Sequence, residues 1–372
     1  MKLSKLMSIL DYHVPFSTAE SWDNVGLLIG DENQQVNGIL TALDCTEEVV
    51  NQAIDKNINT IIAHHPLIFK GIKNIVQTGY GKIIRKLIQN DINLIAMHTN
   101  LDVNPSGVNK MLADTLDLNN VNQINQLYTT YYKVQTFIPK ENVENFKDQL
   151  NQLGLAKEGN YEYCFFESAG KGQFKPVGEA NPYLGQLDSI EYVDEIKLEF
   201  MISENEKQIT EQAIINYHPY ETPVYDFIKL QKQSEFGLGI IGELPHTMTL
   251  DEFSSYAKEK LNINSLRYTG NSDAVINKVA MIGGSGIGFE YEAHSNGADV
   301  FVTGDIKHHD ALDAKIQGVN LLDINHYSEY VMKQGLKLLL EDWLFEYKDM
   351  FPIEASNIDT DPFRSEEHTS EL

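Results

Sequence analysis

Four apolar stretches of this chain end abruptly in histidine or aspartate. Ile61-Ile62-Ala63 runs into His64-His65, and Ile95-Ala96-Met97 into His98 and, a turn later, Asp102. Phe301-Val302-Thr303-Gly304 runs into Asp305 and His309, and Leu321-Leu322-Asp323 precedes His326. In an open α/β sheet, ligands gather at the carboxyl ends of the strands, so these side chains are expected to meet along one edge. Mixed imidazole and carboxylate ligands suit zinc or iron, whereas calcium and magnesium favour oxygen alone. Taken singly, each histidine is more often a satisfied structural residue than a ligand; the convergence carries the argument.

His64 and His65 would point to opposite faces of a continued strand. Pro66 ends the ladder and biases His65 toward an extended or turn conformation, which lets both rings reach one pocket. Two adjacent histidines then suit two metals better than one, and a plain polar strand end is the equally weighted alternative. Asp102 closes the turn His98-Thr99-Asn100-Leu101-Asp102 and is of the type that bridges two cations. His98 is read as a partner orienting a ligand rather than as a ligand itself. His326 and Glu329, three apart at the start of the last helix, share a face and can aim at one centre. A cation at a helix start runs against the helix dipole, so a neutral metal-bound imidazole fits His326 better. The expected ligand set is therefore His64, His65, Asp102, His326 and Glu329, holding two divalent metal ions per chain with positions left open for water. His98 and His309 are the candidates for proton transfer or for contacts around the ligands.

Other features weigh less. Gly283-Gly284-Ser285-Gly286-Ile287-Gly288 follows a strand but lacks dinucleotide-binding spacing, and reads as a tight structural turn. Trp22-Asp23-Asn24 reads equally as a pocket wall or a capped turn. His218-Pro219-Tyr220-Glu221 is read as structural.

The elements that must position these residues follow from periodicity. Gly38–Leu43, Thr60–Ala63 and Asn93–Met97 read as strands, with helices over Ser4–Leu10, Glu47–Asp55 and Tyr80–Gln89. The grammar returns late in the chain: strands Lys278–Ile282, Asp299–Thr303 and Asn320–Asp323, a helix Phe289–Asn296, and a long helix from about Ser328 to Tyr347. Strands alternating with helices predict an α/β fold with a mostly parallel sheet domain built from two βα halves. Between them the order strand Tyr132–Ile138, helix Glu141–Leu153, strands Tyr163–Glu167 and Ile190–Ser203, helix Glu206–Tyr217, strand Thr222–Leu230 predicts a ferredoxin-like α+β insert. Gly170–Gly172 and Gly178–Gly185 are expected to form one glycine-rich loop within it. The predicted domains are thus a discontinuous metal-binding domain, 1–130 with 231–363, and an inserted domain, 131–230. Residues 364–372, RSEEHTSEL, read as a non-native tail.

Lys and Arg total 29 against 54 Asp and Glu, a formal charge of -25. Such a field repels phosphate backbones and makes nucleic acid an unlikely partner. No apolar run is long enough for a membrane span, and the first residues lack a signal-peptide pattern. The 2 cysteines, Cys45 and Cys164, have neither zinc-knuckle nor redox spacing, consistent with reduced thiols and a cytoplasmic location.

With these residues in view, the chain resembles the GTP cyclohydrolase I type two homologue family, also called the Ngg-one-interacting-factor-three-like family. The resemblance runs to about Phe363. It is carried by Trp22-Asp23-Asn24-Val25-Gly26-Leu27, His64-His65-Pro66-Leu67, His98-Thr99-Asn100-Leu101-Asp102, Gly283-Gly284-Ser285-Gly286, Thr303-Gly304-Asp305 and His326-Tyr327. His308 departs from it, a tyrosine being more usual there. Phe137-Ile138-Pro139, Gly159-Asn160-Tyr161 and His218-Pro219-Tyr220-Glu221 resemble the longer bacterial subfamily, whose insert is similar to cation-tolerance and PII-type domains. The resemblance implies a dinuclear site, usually zinc, on the five ligands named above, and a homohexameric ring. The expected function is a metal-dependent hydrolase acting on a nucleotide or a related purine or pterin, with GTP cyclohydrolase-type chemistry as one case. The rival expectation is a non-catalytic metal-binding regulator or metallochaperone-like protein, whose insert senses a ligand.

Overall fold

A computed structural model describes residues 1–125 and 127–364. The tail expected over 364–372 lies outside the described residues from 365 onward. The fold is mixed α/β with three sheets, and the chain divides into two compact units, Met1–Gln126 with Glu235–Leu372, and Leu127–Ser234.

In the first unit, a five-stranded sheet has the order Gly26–Ile29, Asn93–Ala96, Thr60–Ala63, Ile39–Ala42, Ile353–Ala355. The last four run parallel, and Gly26–Ile29 is antiparallel to its neighbour. Every residue of the three central strands is buried. Strands covered on both faces read as continuous apolar runs, which is how these were recognisable. One face packs on the helices Glu47–Asp55 and Tyr80–Gln89 through Leu40, Ile61 and Leu94. From the other, Ile39, Ile62 and Ile95 enter a core shared with the second sheet.

That second sheet has the order Arg267–Thr269, Leu321–Asp323, Val300–Thr303, Val275–Met281, Ile240–Thr249, Asn119–Gln123. Only its centre is parallel; both flanks are antiparallel, unlike the mostly parallel sheet expected. The flanking strands mix buried and exposed residues, as antiparallel strands with one wet side do. Val279, Val300 and Leu322 meet the first sheet's residues in the shared core, together with four helices. These are Leu3–His13, Val108–Thr115, Leu250–Lys260 and Met332–Trp343, the last burying Met332, Leu336 and Leu340 at four-residue spacing on one face.

The final helix differs from the expected single run. Residues His326–Val331 wind as a 3₁₀ helix before the α-helix Met332–Trp343, and a separate 3₁₀ turn covers Phe345–Tyr347. Asn325, at φ 64°, reverses the chain into the tight first turn. Three residues per turn then brings positions three apart into eclipse, which places His326 over Glu329.

The second unit is a four-stranded antiparallel sheet in the order Phe165–Phe174, Glu191–Ser203, Tyr128–Pro139, Tyr225–Gln233. The helices Val143–Gln152 and Lys207–Tyr217 supply Phe146, Leu150 and Ile214 to a separate core with Val134, Leu198 and Phe200. Gly170–Gly172, expected in a loop, lie inside a strand paired with Glu191–Ser203. A Cβ at Gly172 would collide with the Glu195 carboxylate, so glycine here serves close approach rather than a turn. Among the described residues, no helix is long and apolar enough to cross a membrane.

Candidate metal centre

Each expected ligand sits just past a strand of the first unit. The Thr60–Ala63 ladder continues through His64 N–H to Ala42 O (3.0 Å) and His65 N–H to Leu43 O (2.9 Å), and Pro66 then ends it. His64 is fully buried and His65 half-buried, with ring centroids 5.1 Å apart. Asn93–Ala96 leads to His98 and, through the single helical turn Thr99–Asp102, to Asp102. Leu321–Asp323 of the other sheet leads to His326 and Glu329. The two sheets thus contribute opposite sides of one site.

The side chains form three overlapping groups able to hold a metal ion: His64 with His65 and His98, His65 with His326 and Glu329, and His64 with Asp102 and Glu329. The structure therefore brings together all five expected ligands and adds a ring nitrogen of His98. It does not bring in His309, which stands exposed in the first turn of the helix His308–Ile316 and belongs to none of the groups. Glu329 is the carboxylate common to two groups. Its Oε1 lies 3.8 Å from His64 Nε2, and its Oε2 lies 3.2 Å from His65 Nε2 and 3.4 Å from His326 Nε2.

The hydrogen bonds behind the rings decide what the front can do. Nδ1 of His64 donates to Met97 O (2.8 Å), that of His65 to Asp44 (2.7 Å), that of His98 to Asp23 (2.9 Å) and that of His326 to Asp305 (2.7 Å). A carbonyl or carboxylate can only accept, so each Nδ1 carries the proton and each Nε2 is left with a lone pair facing the centre. His65 Nε2 and His326 Nε2 face each other at 3.3 Å. Two lone pairs so placed repel unless a proton or a metal ion lies between them. His64 Nε2 and Asp102 Oδ1, 3.4 Å apart, are buried without a hydrogen-bond partner. Such atoms are costly unless something of positive charge satisfies them. The donor set and these unpartnered atoms fit a cation.

The electrostatics agree. Burial works against the charged form of His65, yet its hydrogen bonds to Asp44 and Glu329 outweigh this and push it up to about 10. Burial also opposes ionisation of Glu329, but the hydrogen bond from His65 and the neighbouring imidazoles of His64 and His65 hold it well below the usual carboxylate range. Asp102 is pushed up, chiefly by burial.

Glycines make room for Glu329. Gly284 has φ +63°, and a Cβ there would come within 2.8 Å of Glu329 Oε1; at Gly283 the distance would be 3.0 Å. The glycine run expected to be a structural turn is one, and it also shapes the site. The cavity alongside, about 1740 Å³, is lined by His65, His326, Asp305 and Phe69, among others. Cys45 also borders it, its thiol pushed up to about 12 by burial.

Asp44 was missed from sequence, although the run Ile39-Leu40-Thr41-Ala42-Leu43 ends in Asp44 just as the other runs end in their ligands. Asp23 carried no such signal, because its partners His98 and Thr99 lie far along the chain.

Comparison with known proteins places the chain in a family. The Duf34/NIF3 (NGG1p interacting factor 3) family model matches residues 1–362, and the chain belongs to this family. A Staphylococcus epidermidis protein named GTP cyclohydrolase 1 type 2 homolog is 73% identical over 364 residues, covering 98% of this chain and 100% of that one. The crystal structure of a Staphylococcus aureus protein is 60% identical with TM-score 0.84, over 98% of this chain and 99% of that one. A Bacillus cereus protein described as related to NIF3 is 38% identical with TM-score 0.74, again over 98% of this chain and 99% of that one.

Proposed function

We propose that the chain is a dinuclear metal-dependent hydrolase acting on a nucleotide or a related purine or pterin. The observation that carries this reading is the set of four imidazoles whose Nδ1 protons are all engaged, three of which, His64, His65 and His326, hold Nε2 within 3.2–3.8 Å of Glu329. His64, His65, Asp102, His326 and Glu329 would hold the cations, and Glu329 is the carboxylate shared by two of the three groups. Zinc is the first choice and iron the second, on ligand type. A bound pair of divalent cations supplies Lewis acidity and makes water more acidic. The chain does the rest. Asp44, Asp305 and Met97 O orient the rings, and the shared core of the two sheets fixes both sides of the site. His98, backed by Asp23, is positioned to accept or deliver a proton at its free nitrogen, as a histidine held by an aspartate does in general base catalysis. GTP cyclohydrolase-type activity is one reaction of this class, and it is the one the relatives' name supports.

The first test is metal content by mass spectrometry on protein purified without added metal. About two zinc or iron ions per chain are expected, with loss of at least one in Glu329→Ala. A chain that is metal-free and stays so after reconstitution overturns the proposal. Metal-loaded protein is then screened for hydrolysis of purine nucleotides and pterins.

A second reading, a ligand-sensing regulator, has its own observation. The unit Leu127–Ser234, which we read as a ferredoxin-like, PII-type insert, contains a cavity of about 710 Å³ lined by Phe174, Tyr183, Glu195 and Tyr220. Nucleotide-dependent thermal shifts that vanish on deleting this unit, with no turnover, would favour the regulator. For both readings we propose a cytoplasmic homohexameric ring. Light scattering that gives a monomer at working concentration would sink that assembly.

A further inference from the structure

We propose that Trp22 offers a stacking face, with Phe69 as its side wall, that receives a planar heteroaromatic ring at the metal centre. This rests on the reading of the site as one acting on a nucleotide- or pterin-like molecule, and names the residues that recognise its ring. Trp22 is 57% exposed and Phe69 44% exposed, so neither spends its apolar surface in the core. Single exposed aromatics are common and mean little; these two are paired and placed. Their ring centroids are 5.8 Å apart with the planes tilted 57° to each other, so Phe69 walls one side of the Trp22 face rather than extending it, and both rings stand nearly perpendicular to His98, at 6.2 and 6.5 Å. His98 in turn lies 5.2 Å from His64 and 5.7 Å from His65. The pair is thus one imidazole away from the cluster.

Their neighbours fasten them there. Asp23 accepts from His98 Nδ1 (2.9 Å), Thr99 N–H (3.1 Å) and the Thr99 hydroxyl (2.6 Å). Glu20 N–H donates to the same hydroxyl (3.0 Å). Asn24 donates from its side-chain amide to Ile68 O, the carbonyl just before Phe69. The backbones on both sides are therefore tied to the site and to each other, while the rings themselves are left uncovered. Preorganised aromatic rings held rigidly beside a reactive centre bind flat π-systems at little entropic cost. Phe69 also lines the cavity of about 1740 Å³, which has space for the rest of a nucleotide-sized molecule. Stacking tolerates different bases, so the pair selects for a ring rather than for one particular ring.

The chain has 2 tryptophans, Trp22 and Trp343. Trp343 stacks on His13 at 4.5 Å, a contact that Trp343→Phe retains as ring on ring. In full-length zinc-loaded Trp343→Phe, Trp22 is the sole tryptophan, read by exciting at the red edge of indole absorption where the 18 tyrosines do not absorb. Saturable quenching by guanosine and inosine is expected, with none by ribose 5-phosphate. Adding Phe69→Ala should weaken the guanosine response about tenfold. Quenching by guanosine no stronger than for free tryptophan overturns the proposal, as does a blue emission insensitive to acrylamide, which would mean that another protein surface covers Trp22. The outcomes separate from those of the hydrolase reading. Metal-dependent turnover without Trp22 quenching sinks only the stacking face; quenching in a chain that never retains metal sinks only the hydrolase.

Discussion

At the scale of single residues, the centre depends on small features that carry no charge. Gly284 adopts φ +63° against the Glu329 carboxylate, whereas Gly288 adopts φ +114° where a Cβ would meet nothing within 4 Å. Gly284→Ala is therefore expected to lose metal as well as about 1–2 kcal/mol of stability from backbone strain. Gly288→Ala should show strain alone. Metal content and thermal melts of the two variants make the comparison, and equal metal content in both would refute the role given to Gly284. The ligand candidates were legible from sequence because each follows an apolar run, His64 and His65 at once and Asp102, His326 and Glu329 within about two turns. Their supporting aspartates were less so. Asp23 and His98 are 75 residues apart, and nothing local to either announces the other.

At the scale of elements, legibility followed burial. Thr60–Ala63, Asn93–Ala96 and Val300–Thr303 are wholly buried and read plainly as strands, and the helix Glu47–Asp55 was visible from its periodicity, with Thr46 capping it in the structure. Asn119–Gln123 gave no such signal. It is polar and largely exposed, and its extended state is imposed by pairing with Ile240–Thr249. The first turn of the last helix was mistaken for α because tight and ordinary helices share an i, i+3 pattern over so few residues. An element with its own pH dependence follows the helix Lys207–Tyr217. His218 donates from Nε2 to Phe137 O (3.0 Å) and accepts at Nδ1 from Tyr220 N–H (3.1 Å). Protonating Nδ1 would set N–H against N–H, and burial already lowers the pKa of this histidine below its usual value. The unfolded chain therefore takes up this proton at a higher pH than the folded one. Stability contributed here is present above about pH 6.5 and falls as the pH drops from there toward the lowered folded value. For the unit 127–234, the melting temperature should fall more steeply between neutral and mildly acidic pH in wild type than in His218→Gln. Equal slopes would rule this out.

At the scale of the molecule, the two units have separate cores, one running through both metal-bearing sheets and one within Leu127–Ser234. Expressed alone, residues 127–234 should give a cooperative thermal transition. Phe146→Ala, which empties the middle of that core, should cost about 3–5 kcal/mol and leave little folded protein. A broad, non-cooperative melt of the wild-type unit would contradict the prediction. The arrangement of the metal-bearing unit also bears on how the protein is made. His65 and Glu329 meet across 264 residues of chain, with the whole of 127–234 between them. A ribosome releases the histidine pair long before it has synthesised the carboxylate that completes the pocket. An emerging chain can therefore offer a cation only a partial grip, and full capture has to wait until translation is almost finished. On the proposed reading of the site, metal loading would in this way be a late checkpoint on a completed fold rather than a seed for it.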